Sequence, residues 1–107
     1  MNKQKFKVEL KNIVKQIVDY YQPQKIILFG SAAGGKFGKD SDIDLLIIKE
    51  SKKRRVDRIG DILDLVERKL PLDPLVYTPL EFRRRLEMGD PFLKEVLDSG
   101  ELVYEQA

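Results

Sequence analysis

Two aspartates two residues apart, Asp42 and Asp44, open a run of branched apolar residues, and the step Gly30-Ser31 ends the run before it. In an extended chain, residues i and i+2 point to the same face with Cα atoms roughly 6.5–7 Å apart. Two carboxylates on one face repel each other unless a cation lies between them, and such hard oxygen donors suit Mg²⁺. A two-metal phosphoryl-transfer site needs its ions about 3.5–4 Å apart, a spacing that one Asp-x-Asp pair can span. The Gly-Ser step supplies the complementary half. A glycine lets the backbone approach a phosphate closely, and the serine adds an amide and a hydroxyl. A triphosphate held by Gly30 and Ser31 brings its metals against Asp42 and Asp44.

Composition narrows the chemistry further. The 107 residues contain no histidine and no cysteine. That excludes a disulfide framework, thiolate or imidazole zinc sites and a Ser-His-Asp triad. Carboxylates, hydroxyls, lysine, arginine and bound hard cations are the remaining tools. The length fits one domain over residues 1–107 with a modest core. No apolar run is long enough to span a bilayer, and no signal peptide opens the chain, so a cytoplasmic protein with no membrane partner is expected. The net charge of +2 is too small to imply nucleic-acid binding. Positive charge gathers instead in Lys49, Lys52, Lys53, Arg54, Arg55 and Arg58, and again in Arg83–Arg85. Both blocks read as solvated surface. Arg54 and Arg55 would oppose the dipole of a helix starting there, which a partner's acidic face or, less favoured, an RNA backbone would offset.

The elements that must position the acids follow from periodicity. Phe6, Leu10, Ile13, Val14, Ile17 and Val18 predict an amphipathic helix over 5–20, ended by Gln22-Pro23. Lys25–Phe29 reads as a buried strand, Ser31–Ser41 as a glycine-rich loop, and Asp42–Lys49 as a central strand apolar on both faces. A second helix is expected to carry Val56, Ile59, Leu63, Val66 and Leu70 on one face and to stop at Pro71. Leu72–Tyr77 predicts a third strand, with Pro74 favouring an edge. Thr78-Pro79-Leu80-Glu81 is a capping box, Gly89 ends that helix, and Asp90-Pro91 caps another that closes at Gly100. Leu102–Tyr104 could add a last strand. The resulting class is α/β (α+β), a small mixed sheet of three to four strands with helices packed against it. Tyr20, Tyr21 and Tyr77 read as core-edge residues.

One rival motif fails on its neighbour. Gly30 to Lys36 has Walker A spacing, but Phe37 stands where that loop needs serine or threonine for Mg²⁺, and no room is left for its helix.

Leu28-Phe29-Gly30-Ser31-Ala32-Ala33-Gly34-Gly35, followed by Asp40-Ser41-Asp42-Ile43-Asp44-Leu45-Leu46, resembles the signature of the DNA polymerase beta-like nucleotidyltransferases. Within that superfamily the chain is most similar to the minimal nucleotidyltransferases of antitoxin type, and the likeness covers nearly its whole length. The resemblance implies a nucleotidyltransferase fold and a third carboxylate on a later strand, which the segment Leu72–Pro79 assigns to Asp73. It implies two Mg²⁺ ions on Asp42, Asp44 and Asp73, and an NTP, ATP by preference, with its phosphates on Gly30 and Ser31. It further implies transfer of a nucleoside monophosphate to a hydroxyl on a small helical HEPN-type protein. Ala32 and Gly34 stand where the family often has arginine, so Lys36 and Lys39 are candidate replacements near the phosphates. Pro74 directly after Asp73 is a second departure. The missing arginines favour an alternative, a catalytically weak antitoxin that neutralises its partner by contact. Nucleotidylation of an antibiotic or other small molecule is disfavoured because no acceptor domain is visible. Oligomerisation is compatible with the sequence.

Overall fold

A computed structural model of the chain describes residues 3–35 and 42–107. Its elements run α1 (Lys3–Tyr21), β1 (Lys25–Phe29), β2 (Ile43–Ile48), α2 (Arg55–Leu65), β3 (Leu72–Tyr77), α3 (Pro79–Glu87), α4 (Pro91–Ser99) and β4 (Glu101–Glu105). The strands form one mixed sheet in the order β3-β2-β1-β4. β2 and β3 are parallel, joined by the α2 crossover, while β1 pairs antiparallel with β2 and β4. Pro74 does lie on an edge strand, where a missing ladder donor is tolerated.

Helices cover both faces of the sheet. Ile43, Leu45 and Ile47 of β2 pack with Phe6, Ile13 and Ile17 of α1 and Ile62 of α2. Leu46 and Ile48 pack on the other side with Tyr77 and with Leu93 and Val96 of α4. Burial on both faces explains why β2 is apolar without alternation. Strand alternation then sends Asp44 to the α3/α4 side, together with Leu46 and Ile48.

The second helix departs from expectation. It ends at Leu65, well before Pro71, and its buried residues are Arg58 and Ile62, whereas Val56 is exposed. Side chains of α1 explain the early stop by supplying the hydrogen bonds a continued helix would have made. Gln16 accepts from Glu67 N (2.8 Å) and donates to Glu67 O (2.7 Å). The buried Glu9 carboxylate accepts from Lys69 N and Leu70 N. Backbone satisfied in this way has no need of a helical ladder.

Arg58 also corrects the expectation of a solvated basic face. Its side chain is 7% exposed and forms a two-point ion pair with Glu81, with Nη1–Oε1 at 2.7 Å and Nη2–Oε2 at 3.3 Å. The same guanidinium donates to Lys53 O and Val76 O. Glu81 meanwhile completes the capping box, accepting from Thr78 N while Thr78 Oγ1 accepts from Glu81 N. One carboxylate therefore starts α3 and pins α2 to it. Arg54 pairs with Asp57 and Lys53 with Asp61, and Arg55 lies over the Tyr77 ring. Tyr77 is buried as expected, but Tyr20 is exposed. No described helix is long and apolar enough to cross a membrane.

Candidate active site

The three aspartates gather at one end of the sheet. Asp44 stands directly opposite Asp73 in the parallel β2/β3 register, and opposite Phe29 in the antiparallel β1/β2 register. Paired residues on adjacent strands share a face and lie about 5 Å apart. Asp42 precedes β2 by one residue, so the strand begins at Ile43 and not at Asp42. Asp42 and Asp73 are exposed, and Asp44 is half-buried between them.

Burial pushes the Asp44 carboxyl above the ordinary aspartate range, and the charges of Asp73 and then Asp42 push it the same way. No lysine or arginine forms an ion pair with any of the three among the described residues. As they stand, no three described acidic side chains converge closely enough to enclose a metal. Like charges repel, and a divalent cation is the charge that would draw such carboxylates together.

Gly30 explains why this glycine ends β1. Its φ is +77°, a conformation most residues avoid, and a β-carbon there would overlap Asp44 Oδ2. The backbone thus runs hard against the central carboxylate. Ser31 follows, exposed, and three successive i to i+3 bonds turn the chain through Gly35, from Ala33 N to Gly30 O onward. Ala32 is buried in the α1/α2 core, so its side chain is committed to packing. Lys36 and Lys39 lie outside the described residues.

Residues 8–103 match the nucleotidyltransferase domain family. The chain belongs to that family. Membership brings with it nucleotidyl transfer from an NTP, and nucleotidyltransferase domains generally use divalent metals. A Sulfolobus solfataricus protein, described from its crystal structure as a candidate nucleotidyltransferase, is 17% identical with a TM-score of 0.62. The alignment covers 99% of this chain and 91% of that one, a likeness that concerns the fold. No curated protein matches the sequence significantly.

Sequence reasoning missed one neighbour of the candidate site. A cavity of about 290 Å³ opens beside Gly30, lined by Phe29, Phe92, Glu95, Val96 and Ser99. The Phe29 and Phe92 rings meet edge to face with centroids 5.5 Å apart. Position 92 is far from β1 in sequence, and no local pattern announces the contact. A larger depression of about 610 Å³ lies between α1 and β4, and none of the three aspartates lines it.

Proposed function

We propose that this chain is a Mg²⁺-dependent nucleotidyltransferase that moves a nucleoside monophosphate, AMP from ATP, onto a hydroxyl of a HEPN-type protein partner. The observation that carries the reading is the Asp44–Asp73 register with Gly30 pressed against Asp44. Uncompensated like charge at one point is costly to a fold and is characteristic of a site kept for chemistry.

Asp42, Asp44 and Asp73 would hold the metal, an all-oxygen donor set suited to a hard cation. Bound there, Mg²⁺ would neutralise triphosphate charge and stabilise the attacking and leaving oxygens. Gly30 lets the backbone close on the phosphates, and Ser31 offers its amide and hydroxyl. Exposed Asp73 is open to the acceptor and takes the proton from its hydroxyl. The acceptor oxygen bonds to the α-phosphorus as the bond to the bridging oxygen breaks, and pyrophosphate leaves.

A second reading has one observation in its favour. Ala32 is packed into the core and Gly34 has no side chain, so neither offers the phosphate-binding cation common in the family. The chain would then neutralise its partner by contact alone. Intact mass spectrometry of the partner after incubation with the chain, ATP and Mg²⁺ separates the two. Gain of one AMP, lost in Asp42→Asn and Asp44→Asn, supports the enzyme. Neutralisation that survives both substitutions with no gain in mass supports the contact mechanism.

A further inference from the structure

We infer that the cavity between the end of β1 and α4 is the nucleobase subsite, and that Glu95 selects bases carrying an exocyclic amine; this rests on the nucleotidyltransferase reading above. Gly30 is the hinge of the argument. It lies against Asp44 Oδ2 on one side and lines the cavity on the other. A nucleotide with its phosphates at the aspartates therefore needs only to extend across Gly30 to reach the cavity.

The lining fits a planar aromatic ring. Phe29 and Phe92 form an aromatic wall and Val96 an apolar floor, in a space of about 290 Å³. Phe92 is still 39% exposed after its contact with Phe29, leaving ring surface for a second partner. Its backbone is fixed, because Asp90 at the helix N-cap accepts from Phe92 N at 2.9 Å and Leu93 N at 3.3 Å. Stacking on such a ring tolerates any base, so it supplies affinity and not choice.

Choice falls to the polar groups. Ser99 Oγ already donates to Glu95 O at 2.9 Å. The Glu95 carboxylate has no cationic partner among the described residues. An ionised carboxylate accepts hydrogen bonds only. It would receive the amine of adenine, guanine or cytosine and repel the carbonyl oxygens of uracil.

Isothermal titration of the full chain with Mg²⁺ and each of ATP, GTP, CTP, UTP, purine riboside triphosphate and inorganic tripolyphosphate tests this. ATP should bind about tenfold or more tightly than purine riboside triphosphate, which lacks only the amine, with UTP weak as well. GTP and CTP, whose bases also carry an exocyclic amine, should bind more tightly than UTP, and binding of both no tighter than UTP would overturn the selection by Glu95. Glu95→Ala should level these differences, Glu95→Gln should restore part of them, and Phe92→Ala should weaken all nucleosides about tenfold while sparing tripolyphosphate. Equal affinities for all the nucleotides, unchanged by Glu95→Ala, would overturn the subsite while leaving the triphosphate site intact. Failure of every triphosphate to bind would overturn the parent reading and the subsite with it.

Discussion

Two charged groups lie at opposite ends of the β2/β3 pair and are treated in opposite ways. Toward the C-terminal ends of β2 and β3, Arg58 is sunk beneath the surface with every hydrogen bond aimed at Glu81 or a carbonyl. At the N-terminal ends, Asp42, Asp44 and Asp73 lie on neighbouring strand positions with no described cation paired to them, and a left-handed glycine crowds Asp44. The first arrangement satisfies its charges and ties α2 to α3. The second leaves like charges together, which lowers stability and makes sense only if something else completes it. Paired charge here marks architecture, and unpaired charge marks the proposed nucleotidyltransferase centre.

Swapping one residue from each region should separate the two roles. Asp73→Asn is expected to lower nucleotidyl transfer about a thousandfold, the loss of several kcal/mol of transition-state stabilisation, with little change in melting temperature. Arg58→Ala should do the reverse. It strands Glu81 and two carbonyls, destabilising the fold by about 2 kcal/mol, less than a fully enclosed pair because the Glu81 side chain is 36% exposed. Urea unfolding and the rate per folded molecule check both. Gly30→Ala should damage both properties. Its left-handed backbone alone costs about 1–2 kcal/mol, and the added methyl displaces the Asp44 carboxylate.

The smallest effect is also the most diagnostic, because pH acts on the two regions with opposite sign. The hydrogen bond from Arg58 holds the Glu81 carboxyl below its ordinary range. Its stabilisation is therefore full above the unfolded value of 4.5 and is lost as pH falls through the lowered folded value. Asp44 is raised, so ionising it destabilises the metal-free fold. That penalty is absent below the unfolded value of 3.8 and grows as pH rises through the raised folded value. Glu81→Gln should flatten the acid limb of a stability-against-pH curve, and Asp44→Asn should lift its neutral side.

How much of this was legible in the sequence depends on the range of the interaction. β1 and β3 match the expected spans because glycine and proline bound short branched runs, and the Thr78–Glu81 box announces α3 locally. The carboxylates and Gly30 were visible as a pattern, but their juxtaposition needed the β2/β3 register. The end of α2 was not legible, because Glu9 and Gln16 act across more than fifty residues. Arg58 read as solvated for the same reason: Glu81 lies 23 positions away. The cavity beside Gly30 brings β1 to α4, a contact with no local signature.

Melting temperatures of the wild type and Asp44→Asn, each in chelator and with Mg²⁺-ATP, test most directly whether the unpaired charge is kept for a metal and its nucleotide. Asp44→Asn should melt higher than the wild type in chelator, and only the wild type should gain markedly from Mg²⁺-ATP. A variant that melts no higher in chelator, with Mg²⁺-ATP shifting both proteins equally or neither, would contradict the account.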